Sequence, residues 1–199
     1  MHAKQNSMKK KTVVITIIIV LVIVGLVGAY TFLSRRAYSS VDNTKLSQVQ
    51  LVLSYDLQNN YPASVRKVIE FYIDIQKCFY NEEYTNEELE ALGMKARELY
   101  DDELLDANEI SSYMQRLSAD IGSFKVNNRR MTNAAPGSST SVFYFEEDGY
   151  KFARIRCGYT ITENYTNKTV PIVYVLRQDS NKRWKIYGWQ NDTGVNAAN

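Results

Sequence analysis

Tyr72, Tyr159 and Trp184 are the side chains that pattern alone offers to a ligand in this 199-residue chain. Tyr72 and Tyr159 fall on the apolar side of a helix and a strand, Trp184 opens a terminal strand, and a phenol or indole joins a large apolar face to a polar tip. The same spacing serves an ordinary core, so binding and packing are both open for the three. A catalytic site would also need a tuned carboxylate as base. Glu70 and Asp74, four residues apart, are the nearest candidates, but they lie on the polar side of the helix that carries Tyr72. The only histidine is His2, so Ser-His-Asp triads, Cys-His nucleophiles and His-ligated zinc have no raw material in the body of the chain. No catalytic residue, metal site or cofactor is expected.

Cys78 and Cys157 are the two cysteines. Each falls on a face expected to be buried, where a disulfide and a pair of packed thiols are both open. Glu98, Asp101, Asp102, Glu103, Asp106 and Glu109 form an acidic cluster that could attract calcium, yet the loop spacing and glycine of an EF-hand are absent. Acidic residues at helix starts also complement the helix dipole. Asn164-Tyr165-Thr166, Asn167-Lys168-Thr169 and Asn191-Asp192-Thr193 match the glycosylation acceptor pattern, which an Asn- and Thr-rich chain meets by chance. With no Gly-rich phosphate loop, CxxC or RNA-binding aromatic motif, nucleic acid is not an expected partner.

Three helices must position these residues, and capping chemistry marks their starts. Ser64 opens the first, over residues 64–80, with Val65, Val68, Ile69, Tyr72, Ile75 and Phe79 as its apolar stripe. Thr85 with Glu88 forms a capping box for the second, with Tyr84 and Leu89 spaced as a hydrophobic staple. Asp106 with Glu109 repeats the box for the third, which Gly122 is expected to end. Beyond Gly122 the apolar period changes from 3.6 to 2. Five strands are expected over residues 124–132, 140–147, 150–163, 170–179 and 183–191, with Asp148-Gly149 as a hairpin turn. Pro171 suggests a strand start or an edge. The third strand alternates cleanly: Ala153, Ile155, Cys157 and Tyr159 share one face, and Phe152, Arg154 and Arg156 share the other.

Residues 12–34 are 23 consecutive residues without a formal charge, long enough as a helix to cross a hydrocarbon core of about 30 Å. Lys4, Lys9, Lys10 and Lys11 precede the run, and only Arg35 and Arg36 follow it, which places the N-terminus inside the cell. A cleaved signal peptide ending near Ala29 is the alternative. The expected organisation is a cytoplasmic tail over 1–11, a transmembrane helix over 12–34, a stalk over 35–60, a domain over 61–191 and a tail over 192–199. The chain's net charge of +2 divides accordingly, because from residue 37 onward 18 basic residues meet 22 acidic ones, a net of −4.

Helices followed by long antiparallel hairpins give an α+β class, with three helices packed on a curved sheet of about five strands. That order, ending in Arg183-Trp184-Lys185-Ile186-Tyr187-Gly188-Trp189, resembles the nuclear transport factor 2-like (cystatin-like) superfamily, a cone-shaped fold. Asn60-Tyr61-Pro62, Lys77-Cys78-Phe79-Tyr80-Asn81 and the run from Arg97 to Leu105 look like an uncharacterised family of membrane-anchored Gram-positive bacterial proteins within it. The resemblance covers residues 60–191 and implies the fold without a reaction. Members of the superfamily pair through their sheets, which points to Phe152, Arg154 and Arg156 as a surface for a protein partner or a homodimer. The function expected is non-catalytic binding or scaffolding by an extracellular domain on a single-pass anchor. Two alternatives are an assembly component of an envelope secretion or conjugation complex and, less favoured, a carboxylate-tyrosine pocket enzyme.

Overall fold

Side chains at the helix starts set where the helices begin. In the computed structural model, which describes residues 46–192, Ser64 is extended and its hydroxyl accepts the Lys67 N–H, releasing α2 (Val65–Asn81). Thr85 and Glu88 exchange both bonds of a capping box ahead of α3 (Asn86–Arg97). A second box, not expected, joins Ser47 to Gln50 and starts α1 (Gln48–Ser54). Val49, Val52 and Leu57 are buried in the same core as α2, so the stalk expected over 35–60 gives way to the folded domain at its C-terminal end. The tail over 1–11, the apolar run over 12–34 and residues 193–199 lie outside the described residues. Among those described, no helix is long and apolar enough to cross a membrane.

The acidic stretch divides the third expected helix differently. Asp101 caps a short α4 (Asp102–Asp106), and Glu109 is itself the N-cap of α5 (Ile110–Val126). Its carboxylate takes the hydroxyl of Ser111 and the N–H groups of Ser111 and Ser112, which hold the acid down at about 2. Asp106 is therefore the end of one helix rather than the cap of the next. Gly122 does not end α5. Tyr80 packs on Phe124 with centroids 4.6 Å apart, and that contact keeps Phe124 in the helix instead of opening a strand. There are thus five helices in the described residues where three were expected.

The sheet is antiparallel: β1 (Arg130–Pro136), β2 (Phe143–Glu147), β3 (Tyr150–Glu163), β4 (Thr166–Gln178) and β5 (Trp184–Asn191). β1 and β2 lie end to end along one edge of the long β3, and β4 and β5 follow on its other side. Asp148 and Gly149, both with positive φ, make the β2–β3 turn as expected. A second tight turn at Asn164 and Tyr165 starts β4 four residues ahead of expectation. Pro171 is therefore inside β4, but at the point where β5 runs out. Its carbonyl accepts the Asp192 N–H at 2.9 Å, and no ladder bond is lost to the missing N–H.

α2 lies on the face of the sheet that carries Ala153, Ile155, Cys157 and Tyr159, and also touches β1 and β5. Val65, Val68, Ile69, Ile73 and Ile75 are essentially solvent-free there, each large side chain contributing about 2 kcal/mol relative to exposure. The outer edge of β5 is closed by the chain between α3 and α4. Ile186 N–H donates to Leu99 at 2.8 Å, and Asp101 N–H donates to Ile186 at 2.9 Å. The strand ladder has one extra residue there, because Leu176 faces Ile186 and Val175 faces Gly188, leaving Tyr187 unpaired as a bulge.

Candidate functional site

That bulge decides where the last tryptophan points. Strict alternation from Ile186 would send Trp189 to the outer face of the sheet. With Tyr187 inserted, Trp189 stands opposite Tyr174 and shares the helix-covered face with Ile186. There it meets Tyr72 of α2 at 6.2 Å, Tyr100 at 6.0 Å and Tyr174 at 6.1 Å between ring centroids. Tyr100 is fixed by the same backbone bridge to Ile186 that closes the strand edge.

Above this aromatic cluster is a half-open pocket of about 290 Å³. Its floor is Tyr72, Tyr100 and Trp189, together with Gln76 and Phe79 from α2. One wall is Tyr80; the other is α5, which contributes Tyr113, Leu117, Arg116 and Asp120. Spacing on the helices accounts for this: residues 72, 76, 79 and 80 repeat at helical intervals along α2, and 113, 116, 117 and 120 do so along α5. The N-terminal half of α5 is held loosely, with Tyr113, Met114 and Leu117 only half buried and Ile121 and Phe124 buried further on.

Hydroxyls under the floor are paired with one another. Tyr72 and Tyr100 hydroxyls are 3.0 Å apart, and Tyr159 shares a 2.7 Å bond with Tyr174 while donating to Gln76 Oε1 at 2.7 Å. Burial, the largest cause, raises the pKa of Tyr72, Tyr80, Tyr100, Tyr113, Tyr159 and Tyr174, and neighbouring phenols push several of them further. All six are neutral phenols at ordinary pH, unsuited to act as bases. At the rim Tyr80 donates to the Asp120 carboxylate. Arg116 donates to Asn108 Oδ1 at 2.7 Å, and Arg97 stands over the Tyr113 ring at 5.4 Å.

Of the ligand-facing side chains expected from pattern, Tyr72 lines the pocket, Tyr159 lies behind it and braces Gln76, and Trp184 is elsewhere. Trp184 sits near the start of β5 against Tyr144, at 5.7 Å, and its carbonyl accepts the Tyr61 hydroxyl at 2.8 Å. Tyr80, Tyr100, Tyr113 and Trp189 were not anticipated. The repeated tyrosines on two helix stripes were visible in the sequence; the bulge that turns Trp189 inward was not. Glu70 and Asp74 are tied up in ion pairs with Arg66, Lys67 and Lys77, away from this pocket.

Cys78 and Cys157 are both free and buried, and burial pushes their thiols up to about 12 and about 11. Asp101 and Glu103 of the acidic cluster are taken up by protein partners. Arg177 reaches Asp101 with two bonds, at 2.9 and 2.5 Å, and Glu103 with one at 2.6 Å, while the Tyr187 hydroxyl donates to Glu103 at 2.8 Å. Among the described residues, no group of His, Cys, Asp and Glu side chains is placed to hold a metal ion.

The outer sheet face presents the other expected surface in altered form. Phe152 is buried rather than open, stacked on Phe145 at 5.3 Å with Phe143 beyond at 5.9 Å. Arg154 lies 4.7 Å from the centre of the Phe145 ring, and Arg156 is paired with Asp192 at 2.7 Å. The exposed aromatic of this row is Phe143, on the edge strand.

An α+β domain with an aromatic pocket between helix and sheet is thus the class that fold and site define. The chain belongs to the family described as a domain of unknown function (DUF6715), whose model matches residues 1–189. No curated protein matches it.

Proposed function

We propose that this protein is a non-catalytic binding protein: a nuclear transport factor 2-like cone held outside the membrane on a single N-in helix over residues 12–34, taking a small ligand in the tyrosine-lined pocket. The observation that supports it is the pocket itself, whose floor is aromatic and whose buried phenols are paired and protonated. A pocket enzyme of the carboxylate-tyrosine kind needs a base aimed at the cavity. Here Asp120 stands at the open rim, bonded to Tyr80. The pocket's size is at the small end of ligand sites, which run from about 300 Å³ upward.

Leu117→Trp fills the pocket from α5. In full-length protein, a fragment library should contain compounds that raise the melting temperature of the wild type and leave Leu117→Trp unmoved. If every compound that shifts one shifts the other equally, the pocket does not bind. Resistance of the protein to alkaline extraction from membranes, lost when residues 12–34 are removed, checks the anchor.

The outer sheet face supports a second reading, association with a protein partner or another copy, on the stacked Phe143, Phe145 and Phe152 with Arg154 over them. Arg154→Glu with Phe143→Ser should then lower the mass of the native particle. An unchanged mass and unchanged cross-linked partners would remove this surface from consideration.

A further inference from the structure

We infer that the pocket binds a neutral saccharide, one or two pyranose rings in size, stacked on Trp189 and hydrogen-bonded at the rim by Asp120 and Arg116. This rests on the pocket being a binding site at all, and names what it holds.

Trp189 keeps 46% of its surface exposed although three tyrosines buttress it. It is therefore a braced indole platform, with its ordering cost already met by the fold. A pyranose presents an apolar C–H face to such a platform and a girdle of hydroxyls around its edge. The rim matches the girdle. Asp120 accepts from Tyr80, and Arg116 donates to Asn108, one turn apart on α5. Each is bonded to a different partner and has further hydrogen-bonding capacity. One hydroxyl can donate to the carboxylate while its neighbour accepts from the guanidinium. The floor asks for no polar partner, since no buried side-chain nitrogen or oxygen among the described residues is left without a hydrogen bond.

Other ligand chemistries fit less well. An organic cation needs ring faces spaced around it, but Tyr72, Tyr100 and Trp189 lie 5.9 to 6.2 Å apart and touch one another. Arg116 and Arg97 also put positive charge beside the opening. A free amino acid without an aromatic ring would rely on exposed ion pairs with Arg116 and Asp120 alone, with no face to lay on Trp189.

The test uses full-length Trp184→Phe protein, in which Trp189 is the remaining indole, solubilised in a sugar-free polyoxyethylene detergent. Maltose, cellobiose and diacetylchitobiose are titrated beside phenylalanine, choline and adenosine, with indole fluorescence and saturation-transfer NMR as readouts. A saccharide should shift Trp189 emission and show transfer to its ring C–H protons. Asp120→Asn, an exposed change that leaves the core intact, should weaken it about tenfold, near 1.4 kcal/mol, and Trp189→Ala should abolish it. If phenylalanine, choline or adenosine binds and no saccharide does, the saccharide assignment is overturned while the pocket stands. Binding of no probe of any class overturns the saccharide assignment and, together with an empty fragment screen, the pocket as well. A saccharide that binds equally to both variants sits elsewhere and also overturns it.

Discussion

At the scale of single residues, the most consequential pair is Asp101 with Arg177. Asp101 is 4% exposed and Arg177 is its bidentate partner, so the pair sits in a place that water hardly reaches. Removing one member of such a pair leaves the other buried and uncompensated, at a cost of about 3–5 kcal/mol. Arg177→Met should accordingly lower the unfolding free energy in urea by about 3 kcal/mol, and adding Asp101→Asn should restore a good part of it. A loss no greater than that of an ordinary surface change would show that the pair is not what anchors α4 to β4. Residue type alone raised calcium at this place, and the missing EF-hand spacing and glycine argued against it. The structure gives Asp101 and Glu103 to a guanidinium, Glu103 also to a phenol, and makes Asp101 and Glu109 helix caps, and nothing in their spacing announced which basic residue, far along the chain, would arrive to meet them.

At the scale of elements, legibility followed locality. α2, α3 and β3 were readable because their starts are set by contacts three residues apart and their faces by a constant period, as with Ser64, Thr85 and the Phe152–Tyr159 alternation. α4, the far end of α5 and the Trp189 side of β5 were not, because Arg177, Tyr80 and the Tyr187 bulge act on them from a distance or break the period. The bulge can be tested directly. Deleting Tyr187 takes out the extra residue, leaves Ile186, Gly188 and Trp189 in plain alternation and should keep Trp189 inward opposite Tyr174, whereas an alanine inserted between Gly188 and Trp189 should turn it outward, seen as a red-shifted indole emission in a Trp184→Phe background. Tyr187→Ala keeps the residue count and should leave the emission unchanged. A red shift in the Tyr187 deletion or in Tyr187→Ala would mean that the side chain of Tyr187, rather than the residue count, sets the direction of Trp189.

At the scale of the whole molecule, the many buried phenols make stability a function of alkalinity. Each has a pKa above its ordinary 10.0 in the folded chain, so the folded state keeps protons that the unfolded state releases. Their contribution is complete below pH 10 and is lost as pH rises beyond it, by about 1.4 kcal/mol per unit for each such group. The two thiols begin the same trend near their ordinary 9.0. Unfolding in alkali should be steep, with phenolate absorbance appearing together with the loss of helix signal. Phenolate that appeared well before unfolding would contradict it. The bridge between Tyr100 and Ile186 has a further consequence, for the order of assembly. It joins the middle of the domain to its last strand, so the loop it closes is long and its closure is entropically late. On a chain that emerges N-terminus first, α1, α2 and α3 can form while β5 is still being made. The pocket cannot, because Tyr100 and Trp189 come together only after the final strand arrives. The proposed ligand binding is therefore a property that a truncated or half-made chain would lack, and a bound ligand would mark the protein as complete.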